Sequence, residues 1–267
     1  MSLKQPTLYI PHGGGPCFFM EWTMGPRDTW VPLATWLREM PGTLPEAPKA
    51  LLVVSALWEA PVPTVTSAPA PPLFYDYYGF PPDMYQLTWA APGAPTLAER
   101  VRGLLSGAGI ESGADGRRGF DHGVFVPLKV AYPEPRIPTV QLSLQSGLDP
   151  AKHLAIGRAL APLRDEGVLI VGSGMSYHNM RGFMSPASLE TSKRFDTWLH
   201  STVSAAPAER DAALARWTSA PEARECHPRE EHLIPLMVAA GAAGDDRGRT
   251  DFRGVAMGVA LSSVTFG

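Results

Sequence analysis

Short, predominantly apolar runs recur along the chain at Thr7-Leu8-Tyr9-Ile10, Ala50-Leu51-Leu52-Val53-Val54, Thr139-Val140-Gln141-Leu142-Ser143-Leu144 and Val168-Leu169-Ile170-Val171. Continuous hydrophobicity of this length marks strands buried on both faces. Between them the apolar period changes. Leu33, Trp36, Leu37 and Met40 follow the i, i+3, i+4, i+7 spacing of one helix face, and so do Leu97, Val101, Leu104 and Leu105. Asp149-Pro150 supplies a cap and a proline at the first helical position, predicting a helix that runs to about Arg164. The tail at 254–266 places Val255, Met257, Val259 and Leu261 at period two and reads as one late strand, with an antiparallel direction allowed. Helices alternating with buried strands predict an α/β fold, a mostly parallel central sheet covered by helices on both faces. In such a sheet ligands gather beyond the carboxyl ends of the strands, so the residues just after each run carry the candidate chemistry.

Composition narrows the picture. The 267 residues are 45% apolar and 18% charged, with mean hydropathy −0.05, as in a soluble globular chain. Lys+Arg 23 against Asp+Glu 26 leaves a formal charge of −3, so there is no basic field for nucleic acid or an anionic membrane. No apolar run approaches the roughly 20 residues that span a bilayer, and the first six residues do not resemble a signal peptide. A cytoplasmic location is the expectation. Two cysteines, Cys17 and Cys226, are too few for a disulfide scaffold and read as spectator thiols. The 28 prolines are about twice the ordinary share of roughly 5%. They cluster between positions 61 and 95 among Phe74, Tyr75, Tyr77, Tyr78, Phe80, Tyr85 and Trp89, which predicts packed loops beside a pocket, or core packing against those loops.

Five of the seven histidines stand in Gly- or Pro-punctuated segments. His12 precedes Gly13-Gly14-Gly15, and His122 lies within Gly119-Phe120-Asp121-His122-Gly123. His178 follows Gly172-Ser173-Gly174, and His227 and His232 flank the expected start of a helix. His153 and His200 fall inside amphipathic patterns and read as structural. Three or so converging imidazoles bind Zn or Fe(II) and leave positions open for substrate. His227 and His232, five apart, would point about 140° away from each other on one helix, so with a helix starting near Pro228 only one of them faces the site. Other motifs fail. Tyr177 stands where a dinucleotide fingerprint needs glycine, Val171 breaks a nucleophile elbow around Ser173, and there is no Gly-Lys-Ser/Thr phosphate loop.

In order along the chain stand His12-Gly13, Ser55-Ala56-Leu57-Trp58-Glu59, Tyr78-Gly79-Phe80-Pro81 with Ala91-Pro92-Gly93, and Asp121-His122-Gly123. They are followed by Gly172-Ser173-Gly174 with His178-Asn179, and by His227-Pro228-Arg229-Glu230-Glu231-His232 with Pro235-Leu236. This set resembles the class III extradiol ring-cleavage dioxygenases, in particular the 4,5-DOPA dioxygenase-like branch. The resemblance implies one catalytic domain over residues 1–267, with a metal at the carboxyl edge of the sheet. It implies His12 and His232 as metal ligands, His178 as a third ligand or the acid/base residue beside the metal, and His122 as a catalytic histidine one shell out. It also implies Fe(II) for activity, with Zn accommodated in the same site, and a small aromatic diol and O₂ as partners. Homo-oligomerisation is left open.

One position departs from the pattern. The family has Ser-Ala-His-Trp after the second strand, its histidine a ligand, and this chain has Leu57, which cannot donate to a metal. Three alternatives follow: the remaining histidines suffice, a nearby group substitutes, or metal binding and chemistry are impaired. Glu59 shares the face of position 57 in an extended strand but is displaced by roughly 6–7 Å. The rivals to ring opening are a zinc relative with another reaction and a catalytically silent binding protein on the same fold.

Overall fold

The computed structural model describes residues 3–267. The elements are β1 (Thr7–Pro11), α1 (Val31–Glu39), β2 (Ala50–Ala60), β3 (Thr64–Thr66), α2 (Pro95–Gly107), β4 (Gly113–Asp115), α3 (His122–Ala131) and β5 (Thr139–Gln145). They continue with α4 (Pro150–Leu160), β6 (Val168–Gly174), α5 (Ser188–Ser204), α6 (Pro207–Ala215), α7 (Ala223–Cys226), α8 (Ile234–Ala243), β7 (Gly248–Ala256) and β8 (Val259–Phe266). All eight strands form one sheet in the order β4-β3-β5-β2-β6-β1-β8-β7. The four central strands, β5, β2, β6 and β1, are mutually parallel. Antiparallel pairing enters at β3 on one side and at β8 and β7 on the other.

Every residue of β1 and β6 is buried, so successive side chains on both faces are covered, as their unbroken hydrophobicity requires. α8 is buried along its whole length and packs on β1 and β6 beneath α4, while α3 packs on β2 beneath α1. Asp149 caps α4 by accepting hydrogen bonds from the Ala151 and Lys152 amides, and a 3₁₀ turn carries the helix on through Arg164.

Two expectations are corrected. The tail is a hairpin of β7 and β8, because Met257 and Gly258 both take positive φ, 51° and 76°, and reverse the chain inside the period-two run. The helix expected near Pro228 begins at Ile234 instead, with Pro235 in its first turn. Residues 227–233 are left as a turn that lies across the carboxyl end of β6.

Candidate active site

The parallel strands β1, β2 and β6 end together, and the residues after them converge. His12 follows β1, and its amide donates to the Gly174 carbonyl at 3.0 Å, which joins the ends of β1 and β6. His178 lies in the loop after β6, and His122 is the first residue of α3. The buried Asp121 side chain anchors the start of α3 to the sheet, accepting from Ser55 Oγ at 2.7 Å and from Gln141 Nε2. His232 arrives on the turn before α8. That turn can approach β6 only because the strand carries glycine: a Cβ at Gly174 would stand 2.1 Å from the His232 carbonyl oxygen. The same carbonyl accepts from Tyr9 Oη at 2.7 Å and from the Met175 amide at 3.1 Å.

The four imidazoles meet in one cavity of about 410 Å³. The ring centroids of His12 and His232 are 5.1 Å apart and those of His12 and His122 5.3 Å, both edge-on, while His178 and His232 stack at 3.3 Å with an interplanar angle of 18°. His227 does not join them. It packs against Phe195 and Trp217, Nε2 donates to the Ser176 carbonyl at 3.0 Å, and the residue does not line the cavity. His153, buried in α4, accepts at Nε2 from the Gln145 amide, and exposed His200 pairs with Thr250.

Hydrogen bonds fix the tautomer of all four rings. Ser173 Oγ donates its one proton to the Gly123 carbonyl, so at 3.2 Å it accepts from His12 Nδ1–H. Asp76 Oδ1 accepts from His122 Nδ1–H at 2.8 Å and from the His122 amide at 3.0 Å. Glu231 Oε1 accepts from His178 Nδ1–H at 3.1 Å and His232 Nδ1–H at 2.9 Å. Each Nε2 is left with its lone pair, and among the described residues none of the four is hydrogen-bonded. Burial pushes the Glu231 carboxyl up, but the two imidazole hydrogen bonds outweigh it and hold the group well below the usual carboxylate range. Its Oε2 is buried without a hydrogen bond, the nearest cation being Arg229 Nη1 at 3.5 Å.

Burial, reinforced by the neighbouring imidazoles, lowers His12 well below the ordinary value. Burial likewise takes His232 down to about 4 and His227 to about 3, against the Glu231 and Ser176 hydrogen bonds that favour protonation. These shifts have a sign that can be tested. In metal-free protein the unfolded rings take up protons below about pH 6.5 and the folded ones do not, so stability falls as the pH drops through that value. For His232 and His227 the loss is about 2 kcal/mol each at pH 5. The Tm of metal-free protein is therefore expected to drop between pH 7 and pH 5, and an unchanged Tm would contradict neutral burial of these rings.

The donors suit a divalent cation. Two imidazoles bound to one ion at about 2.1 Å and a near-tetrahedral angle have centroids roughly 5 Å apart, the spacing of His12 and His232. Donor atoms of His178, Glu231 and His232 also lie within 4.8 Å of one another. Leu57 lines the cavity beside these histidines, and Glu59 does not replace it. β2 loses its regular register between Val54 and Glu59, and the Glu59 carboxylate is paired with Arg229 at 2.6 Å. Both cysteines are free and buried, and burial pushes the Cys226 thiol up to about 12.

The aromatic loops divide. Tyr77, Tyr78 and Phe80 line the cavity, whereas Tyr75 and Trp89 bind the Leu87 and Tyr132 carbonyls and pack the loops. Two of the three glycines after His12 make room for side chains of the protein itself, since a Cβ at Gly13 would meet Cys17 Sγ at 2.5 Å and one at Gly15 the Phe80 ring at 2.8 Å. Sequence reasoning missed Asp76, Ser173 and Glu231 as partners of the histidines. Asp76 is the sole acid in Phe74-Tyr75-Asp76-Tyr77-Tyr78, and Glu231 adjoins His232, the two signals that could have found them.

No helix among the described residues is long and apolar enough to cross a membrane. Residues 7–263 match the family model of the catalytic LigB subunit of aromatic ring-opening dioxygenase. The chain is 43% identical over 253 residues to a 4,5-DOPA dioxygenase extradiol of Portulaca grandiflora, covering 92% of this chain and 88% of the relative. It is 45% identical over 202 residues to the protein of that name from Beta vulgaris, covering 74% and 75%. The crystal structure of an uncharacterized protein from Escherichia coli K12 superposes with a TM-score of 0.78 at 30% identity, covering 98% of this chain and all of that one. With this fold, this cluster and these relatives, the chain belongs to the LigB family and is an extradiol ring-cleaving dioxygenase of the DOPA-dioxygenase-like branch.

Proposed function

We propose that the protein opens a catechol-type ring with O₂ at an Fe(II) held by His12 and His232, with His178 and His122 handling protons. The observation that carries this reading is the set of four Nε2 lone pairs turned free in one cavity while every Nδ1–H is tied to the protein. When bound there, Fe(II) supplies the path for electrons between a catechol and O₂.

The stack supports a division of roles. The His178 and His232 rings are stacked, with centroids 3.3 Å apart and 18° between their planes, so the two would not both turn an Nε2 lone pair toward one ion. With His232 as ligand, His178 is the acid/base residue. Its Nε2 takes a catechol hydroxyl proton, and the ionised Glu231 at Nδ1–H offsets the positive charge that forms. His122, backed by Asp76, provides a second such position across the cavity. Trp22, Trp30, Phe80 and Met175 line the ring-binding space largely with carbon. Leu57 adds no donor, so metal is held more weakly than in a chain with histidine there.

The test is anaerobic loading with Fe(II) followed by a catechol and O₂. O₂ uptake with a yellow ring-fission product is expected. Full Fe(II) occupancy without O₂ uptake, across catechols and aminophenols, would overturn the reading and favour the zinc relative with another reaction.

A further inference from the structure

We infer that the ring-opening site is built for an uncharged catechol with an apolar substituent para to one hydroxyl, an alkyl or aryl group, and not for a catechol bearing a carboxylate. The inference rests on the ring-opening reading and specifies its substrate class.

Three features of the cavity carry it. The first is its size. At about 410 Å³ it holds more than a single aromatic ring, so a substituent has room beside the diol.

The second is its wall. Four of the chain's ten methionines, Met24, Met175, Met180 and Met257, line it together with Trp22 and Phe183. Methionine is unbranched and polarisable, and it adapts to irregular apolar shapes. At the mouth the apolar side chains stand in water, Met24 at 50%, Met180 at 71% and Tyr78 at 91% exposure. Large apolar residues left this exposed around one opening form a patch that gains by being covered. A substituent running outward from the ring would lie on them.

The third is charge. The charged lining residue other than the histidines is Asp76, an acid, and the ionised Glu231 stands directly behind His178 and His232. Among the described residues no lysine or arginine lines the cavity. A carboxylate on the substrate would give up water for a carbon wall and two nearby negative charges, with no cation of the wall to meet it. The diol end loses nothing by this arrangement, because its hydroxyls face the free Nε2 atoms.

The experiment compares 4-butylcatechol with two acids that carry no amine, 3,4-dihydroxyphenylacetate and 3-(3,4-dihydroxyphenyl)propionate. Binding is measured by calorimetry without O₂, on Fe(II)-loaded and on metal-free protein, and turnover by O₂ uptake on the Fe(II)-loaded protein. 4-Butylcatechol is expected to bind at least about tenfold more tightly than either acid, since burying two or three methylene groups is worth that much alone. The preference should persist without metal, because the walls produce it. Met180→Arg and Met24→Arg put a cation at the mouth on exposed positions, and each is expected to shift the ratio toward the acids by about tenfold or more.

Equal or tighter binding of either acid overturns the inference, and if those acids are also opened the ring-cleavage reading stands without it. A ratio unmoved by both arginine variants likewise overturns it. If no catechol binds the inference falls, and the ring-opening reading falls with it only where O₂ uptake is absent as well.

Discussion

Leu57→His is expected to raise the affinity for Fe(II) on the order of a hundredfold and to raise ring-opening activity at limiting iron in proportion. The magnitude follows from what a ligand is worth. Partners one shell removed from a metal typically account for 10–100-fold in affinity, and a direct donor should reach at least the upper end of that range. The site is prepared for it. Leu57 already faces the cavity beside His12, His122, His178 and His232, on the strand end anchored to Asp121 through Ser55. Its Cδ1 sits 3.2 Å from the point a Cβ on Gly123 would occupy, so the new ring must fit against the start of α3 in the space leucine leaves. Competition against a chelator of known affinity measures the gain. An unchanged iron affinity in a variant that folds normally would mean that position 57 does not face the ion, and the assignment of His12 and His232 as ligands would have to be redrawn.

Removing the Glu231 carboxylate should have the opposite effect, and nearly as large. Glu231→Gln keeps the side chain's shape but replaces an anionic acceptor shared by two imidazoles with a neutral amide. Both rings donate to Oε1, so an amide oxygen in its place keeps the two hydrogen bonds and what the variant removes is the negative charge behind the rings. Iron affinity is expected to fall 10–100-fold, and Glu231→Ala should lose at least as much, since nothing then fixes the tautomer of His178 or His232. A readout independent of turnover is available. The Nδ1–H resonances of the two rings, shielded from exchange by the carboxylate, should disappear in Glu231→Ala and remain in the parent protein. If affinity and resonances both survive, Glu231 is a bystander and the two rings are held by packing alone.

Part of this arrangement was written plainly in the primary structure. The buried central strands announced themselves by unbroken hydrophobicity, and α1, α2 and α4 by their period and, at Asp149-Pro150, by a cap. The placement of His12 and His178 just after strands followed from the parallel sheet those elements require, whereas His122 was read only as lying between glycines before an apolar stretch. Other features were hidden for identifiable reasons. α8 is apolar on every side because it is buried on every side, so it has no amphipathic signature, and its start was placed too early. α3 carries Pro127 inside it, which reads as a breaker. The β7–β8 turn uses a methionine at positive φ where a reader looks for Asn-Gly. The spacing of His227 and His232 did not tell them apart, only the resemblance did, and the partners Asp76, Ser173 and Glu231 emerge from contacts between distant segments.

The seat of the His232 carbonyl has a consequence for the life of the protein. The hydrogen bond from the Tyr9 hydroxyl joins residues 223 positions apart, and Gly174 contributes the floor between them. The two ends of this cradle can therefore meet only after the ribosome has released residue 232. A metal that needs His232 cannot guide the folding of the segments made before it. Any product that stops before position 232 lacks that histidine together with α8, which covers β1 and β6, and so cannot complete the cluster.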